Sequence, residues 1–179
     1  MNRVLSNDII ASVSKLDTAS VICLSPSPEF TQYLGREIGK RLQPGDVICL
    51  LGDLGAGKTT LAQGIGVGWG AQEAVNSPTF VLVNEYSRAD GMRLYHVDAY
   101  RLQDVSEAES IALDDLLSDS NSAMLIEWAE RVEPILPVER LWISLSWIDD
   151  QTRQVKMEAS GERYVAVMGR RVEPSRGQV

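Results

Sequence analysis

Gly52-Asp53-Leu54-Gly55-Ala56-Gly57-Lys58-Thr59 has the spacing G-x-x-x-x-G-K-T, which suits the backbone of a short loop to wrapping an anion. Its glycines let the chain turn tightly, so that successive N–H groups point inward at phosphate oxygens. Lys58 then supplies a point charge for the β- and γ-phosphates, and the Thr59 hydroxyl a ligand for Mg²⁺. Three further groups have the chemistry to complete such a site. Asp98 ends an apolar run, where a carboxylate can join a metal shell, hold an attacking water, cap a turn or pair with Arg101. Glu127 ends another, in Leu125-Ile126-Glu127-Trp128. Thr79, behind Pro78, offers a hydroxyl or carbonyl to the γ-phosphate in the manner of a switch loop, or else simply enters a strand. His96, the single histidine, shares a period-two face with Met92, Leu94 and Asp98. It reads either as a core residue or as a partner that orients Asp98.

These residues need elements to position them. Asp46 to Leu51 is a buried-strand run ending where the loop begins, and Thr59-Thr60-Leu61-Ala62-Gln63 can open a helix whose N-terminus adds positive potential. Upstream, Val21 to Leu24 reads as a strand, and Ser27-Pro28-Glu29 as a cap for a helix to about Leu42, with Phe30, Tyr33, Leu34, Ile38 and Leu42 as its core face. The alternating glycines of Gly64 to Gly70 weaken the loop helix by up to about 1 kcal/mol each relative to alanine, which predicts a mobile, nucleotide-sensitive segment continuing through Thr79. Phe80–Tyr86 and Met92–Asp98 form a hairpin about Asp90-Gly91. Asp104–Leu117 reads as an acidic amphipathic helix, Ala123–Ile126 as a buried parallel strand, and Arg140–Ile148 with Arg153–Ala159 as a second hairpin. Parallel strands direct their C-terminal ends at one ligand crevice, so Glu127 is expected to face the metal that Thr59 holds.

The chain has 179 residues, 44% hydrophobic and 23% charged, which fits one domain over 21–161 between loosely held segments at 1–20 and 162–179. A net charge of −8 opposes tight unaided binding of DNA or tRNA, so the phosphate loop must be a local basic site in an acidic molecule. No apolar run reaches 18 residues and no basic-then-apolar leader opens the chain. Cys23 and Cys49 sit in separate strand-like runs without metal-ligand spacing and read as free thiols. The expectation is a cytoplasmic protein without membrane attachment.

GDLGAGKTTL (52–61), SPTF (77–80), HVDAYRL (96–102) and LIEWAE (125–130), in this order and spacing, resemble the TsaE family, small ATPases of tRNA threonylcarbamoyladenosine biosynthesis. The likeness covers about residues 25–160. It implies an α/β P-loop fold, with a mixed central sheet and helices on both faces. It also implies an ATPase that binds a heterodimer of TsaD and TsaB and resets it by ATP hydrolysis between rounds of modification at adenosine 37, meeting tRNA only through those partners. The nucleotide, ATP or ADP, would then lie on Asp53, Leu54, Gly55, Ala56, Gly57, Lys58, Thr59 and Thr60, with Mg²⁺ on Thr59 and Glu127. Lys58, Asp98, Glu127 and Thr79 would serve catalysis, Asp98 at the phosphate and water end. Thr152, Arg153 and Gln154 resemble the turn that approaches the base.

Two other classes compete. A small-molecule P-loop kinase needs an arginine-bearing lid, for which only Arg153 on a short hairpin is available; a nucleotide-sensing binding module needs no turnover at all. A guanine-reading N-K-x-D element is absent, which favours adenine. With Arg101 and Arg153 the only arginines in reach of the role of an internal finger, hydrolysis by the isolated chain is expected to be slow.

Overall fold

A computed structural model describes residues 18–76, 82–102, 107 and 112–169. Their strands are β1 (Thr18–Ser25), β2 (Val47–Leu51), β3 (Val83–Ser87), β4 (Arg93–Asp98), β5 (Ser122–Glu127), β6 (Arg140–Trp147) and β7 (Arg153–Ser160). The helices are α1 (Pro28–Gly39), α2 (Lys58–Trp69), α3 (Leu113–Leu117) and α4 (Glu162–Val167), with single 3₁₀ turns at Ala99–Arg101, Ala129–Arg131 and Glu133–Ile135. One seven-stranded sheet runs in the order β1-β7-β6-β2-β5-β4-β3. Its centre, β6-β2-β5-β4, is parallel; β3 pairs antiparallel with β4, and β7 with both β6 and β1. The mixed sheet expected from two hairpins around buried apolar runs is therefore present.

The period of two sorts β2 between two cores. Ile48 and Leu50 pack with Leu61 and Ile65 of α2 on one face. Val47 and Cys49 pack on the other with Met124, Ile126, Leu113, Ala129 and Val132. Cys49 is free and buried, and desolvation pushes its thiol up to about 12. Cys23 is free as well.

α1 begins as its sequence indicates: Ser27 Oγ accepts from Phe30 N at 3.3 Å, with Pro28 in the first turn. It stops at Gly39 rather than Leu42, and its buried face differs from the apolar stripe. Thr31, Gly35, Ile38 and Gly39 are buried, whereas Tyr33 is exposed. The reason is the neighbour. A Cβ on Gly64 would lie 2.2 Å from Gln32 O, one on Gly68 2.2 Å from Arg36 O, and one on Gly39 2.1 Å from Ile65 O. The glycines of α1 and α2 thus let two backbones meet directly, and α2 runs unbroken through the segment expected to be mobile.

Residues 162–169, expected to be loosely held, are docked. Val47 N donates to Tyr164 Oη at 2.8 Å, and Arg163 pairs with buried Asp46, its Nε lying 3.0 Å from Oδ1. Asp46 caps the approach to β2 instead of belonging to it, accepting from Gln43 N at 2.7 Å. The strand expected from Phe80 begins at Val83, and of the helix expected over 104–117 the described part is α3 with Glu107. Ser77 to Phe80, with Thr79, lies outside the described residues. No helix among the described residues is long and apolar enough to cross a membrane.

Candidate functional site

The parallel strands β2, β4 and β5 end together, at Leu51, Asp98 and Glu127, and the loop Gly52–Gly57 rises from the first of them. Gly52, Gly55 and Gly57 have φ of +134°, +77° and +107°, the left-handed region in which only glycine is unstrained. Gly57 is also the N-cap of α2 and leaves that terminus without a side-chain cap, so its first N–H groups are available to an anion. Leu54 stands exposed at the tip, while Ala56 is buried beneath it.

Lys58 turns back into the loop. Its Nζ donates to Gly52 O at 2.5 Å and Asp53 O at 2.9 Å, and lies 4.0 Å from the centre of the Trp128 ring. Burial holds this ammonium below the ordinary lysine range, with Glu127, Glu130, Asp98 and Asp53 opposing the shift through their charge. The lysine and the uncapped amide groups of α2 give an acidic molecule a local place for an anion.

Glu127 is 3% exposed at the end of β5, and its Oε1 receives two groups: Thr59 Oγ1 at 3.3 Å from α2, and His96 Nε2 at 2.9 Å from β4. The Thr59 hydroxyl and the Glu127 carboxylate thus meet. Among the described residues no three acidic, histidine or cysteine side chains are grouped to hold a metal alone. That donor set fits Mg²⁺, which binds one or two protein oxygens and completes its shell with water and substrate phosphate.

The core reading of His96 holds, and its reading as a partner of Asp98 does not. The histidine is wholly buried and contacts Glu127, not Asp98. His96 stands opposite Leu125, so Glu127 lies diagonally across on β5, and the imidazole reaches it along the face both side chains share, while Asp98 turns its Oδ1 to Tyr100 N. Asp98 is the register partner of Glu127, and its Oδ1 accepts from Tyr100 N at 3.0 Å, capping the turn after β4. It has the capping role weighed from the sequence, and it stands beside the Thr59–Glu127 pair.

The turn between β6 and β7 is built on Asp149, whose Oδ1 accepts from Thr152 N at 2.7 Å and Gln151 N at 2.9 Å. The backbone bond from Thr152, first, and that from Gln151 hold this carboxyl below its usual range. The Arg153 guanidinium lies 3.5 Å over the Trp147 ring, and a Cβ on Gly55 would sit 3.5 Å from Trp147 Cζ2, so the pair borders the phosphate loop. Gln154, paired with Ser146, leaves β7 on the face opposite to Val155 and is not brought to the loop.

Trp147 and Tyr100 were not read from the sequence as site residues. Tyr100 packs on Trp128 at 5.0 Å between ring centres, with Arg131 5.5 Å over the tyrosine. Trp128 holds φ of +58°, uncommon for a bulky side chain, which turns its ring over Lys58. Only the pairing of a tryptophan with an acid at a strand end hinted at this arrangement.

The model of the family described as "Threonylcarbamoyl adenosine biosynthesis protein TsaE" matches residues 25–155. The tRNA threonylcarbamoyladenosine biosynthesis protein TsaE of Bacillus subtilis is 42% identical over 139 residues, covering 77% of this chain and 85% of its own length. The TsaE of Streptomyces coelicolor is 43% identical over 137 residues, 73% of this chain and 91% of the relative. The crystal structure of the Bacillus protein YdiB superposes with a TM-score of 0.70 at 33% identity, covering 85% of this chain and 93% of that one.

Proposed function

The chain belongs to the TsaE family, and from that premise we propose that it is a Mg²⁺-dependent ATPase serving tRNA threonylcarbamoyladenosine biosynthesis, acting on a TsaD/TsaB-like heterodimer and meeting tRNA only through it. The observation that carries the reading is the meeting of Thr59 and Glu127 below a glycine loop that already contains a buried lysine.

Each residue has a defined task. The N–H groups of Gly55 and of Gly57 to Thr59, at the N-terminus of α2, receive phosphate oxygens, while the Ala56 N–H is held by Asp53 O at 3.1 Å. Lys58 exchanges its two carbonyl partners for phosphate, and Trp128 confines the amine to that path. Thr59 and Glu127 hold Mg²⁺, which when bound neutralises charge developing on the phosphates. Asp98, beside them and partly exposed, orients the attacking water. Trp147, with Arg153 stacked on its ring, borders the loop as the platform for the adenine. Arg153 is occupied there and Arg101 stands exposed on the turn after β4, so turnover by the chain alone is slow.

The test is release of phosphate from Mg²⁺-ATP by the protein alone and with a TsaD/TsaB heterodimer. Release that the heterodimer accelerates is the expected result. Transfer to a small acceptor would make the protein a kinase, and binding without turnover would make it a sensing module.

A further inference from the structure

We propose that His96 is a positioning residue that fixes the Glu127 carboxylate for divalent-cation binding, an inference that rests on the Mg²⁺-ATP reading above. His96 stands on β4 opposite Leu125, and its side chain is inaccessible to solvent. Burial of an imidazole is unfavourable unless its nitrogens find partners. Nε2 has Glu127 Oε1 at 2.9 Å, but Nδ1 is buried with no hydrogen-bond partner among the described residues. An apolar side chain of similar size would fill this space without an orphaned nitrogen. Packing therefore does not account for a histidine here, whereas the bond to Glu127 does.

The geometry of that bond defines its effect. The terminal torsion of a glutamate is broad and roughly two-fold when nothing restrains it. Here Thr59 Oγ1 and His96 Nε2 approach from different elements and converge on the same oxygen, Oε1. Two donors on one oxygen set the plane of the carboxylate, and Oε2 takes part in neither bond. Among the described residues His96 makes no hydrogen bond to the phosphate loop; it acts through Glu127. Loss of such a supporting partner at a metal site typically costs about ten- to hundredfold in metal affinity.

The experiment titrates Mg²⁺ into the full-length protein at fixed ATP, following thermal stabilisation, for the wild type, His96→Leu, His96→Gln and His96→Asn. For His96→Leu the Mg²⁺ concentration at half-maximal stabilisation should rise about ten- to hundredfold, while affinity for ATP in excess EDTA stays near wild type; the empty protein should melt lower, because the buried Glu127 loses a partner. Glutamine carries an Nε2 donor at comparable reach and should recover most of the loss; asparagine is too short and should not. Should His96→Leu fail to fold, the glutamine and asparagine variants carry the same comparison. A wild-type Mg²⁺ midpoint in His96→Leu or His96→Asn would overturn the proposal. So would an equal loss of Mg²⁺-free ATP affinity, since that is general distortion of the fold. In a double-mutant cycle, His96→Leu should add little to Glu127→Gln, and full additivity would likewise refute the coupling. A wild type whose ATP binding ignores Mg²⁺ would instead overturn the underlying reading, so the two failures are distinguishable.

Discussion

Glycine serves opposite purposes at the two ends of α2. Before Lys58, Gly52, Gly55 and Gly57 supply backbone angles that other residues adopt only under strain, and the space around Gly55 and Gly57 holds nothing closer than a side chain at 3.5 Å. Beyond Leu61, Gly64 and Gly68 are ordinary helical residues whose missing Cβ atoms make room for the carbonyls of α1 at 2.2 Å. Gly55 and Gly57 give up side chains for conformation, Gly64 and Gly68 for contact, and Gly52 for both, since a Cβ there would lie 2.3 Å from Leu145 O. One residue type therefore shapes the ligand site in one region and the core in the other, and the two uses should separate experimentally into function and stability.

The largest expected effect breaks function alone. Lys58→Ala and Thr59→Ala should abolish turnover, read as phosphate release, while the empty protein melts near the wild-type temperature. ATP at a hundred times its dissociation constant should stabilise the wild type by about 2.7 kcal/mol, or roughly 5–11 °C for a chain of this size. Lys58→Ala should show none of that increment. A wild type whose melting temperature ignores saturating Mg²⁺-ATP would remove the nucleotide reading altogether.

Stability alone should break at the seam. Gly64→Ala gains about 1 kcal/mol in helix propensity, but its Cβ meets a backbone oxygen that no rotamer change can move. Overpacking of a rigid contact costs about 1–3 kcal/mol or more. With the carbonyl of α1 directly in the way, the upper end applies, and a net loss of about 2 kcal/mol, or about 4–8 °C, is expected in a thermal melt. ATP-induced stabilisation should survive. Gly57→Ala should do the reverse: about 1–2 kcal/mol from its positive φ, with nucleotide affinity falling much further than stability. Equal ratios of the two losses in both variants would dissolve the distinction.

The two acids at the strand ends sharpen the functional side. Glu127→Gln should weaken Mg²⁺-dependent ATP affinity, whereas Asp98→Asn should spare affinity and lower kcat. Calorimetry and steady-state rates measured on both variants decide this, and an equal loss of binding would place Asp98 in the metal shell. The smallest effect is protonic. Because burial depresses the Lys58 value in the folded protein, the unfolded chain holds that proton more tightly, so the group subtracts stability at neutral pH. The deficit is recovered as pH rises from the folded value to the ordinary one. Bound phosphates should raise the folded value again, so ATP binding in alkaline buffer takes up protons. Calorimetry in buffers of different ionisation enthalpy should detect that uptake, and Lys58→Ala should lack it.

Much of this molecule is local in origin. The G-x-x-x-x-G-K-T spacing, the strand before it, the cap at Ser27 and the period-two faces of β4 and β5 depend on neighbours a few residues away, and each is visible along the chain. So is the convergence of Thr59 and Glu127, because parallel strands carry their ends to one crevice. What the tertiary structure decided are the pairings across elements. His96 meets Glu127 rather than Asp98 because the register of β4 and β5 sets Glu127 diagonally across on the same face, while the turn after β4 takes the Asp98 carboxylate as its cap. The glycines of α2 read as a weak helix because local propensity counts only what they lack, whereas packing uses the space they leave for Gln32 and Arg36. Trp147 reaches the phosphate loop only because β6 lies beside β2, whose paired residues, Ile48 and Leu141, are 93 apart in sequence and show no local pattern that joins them.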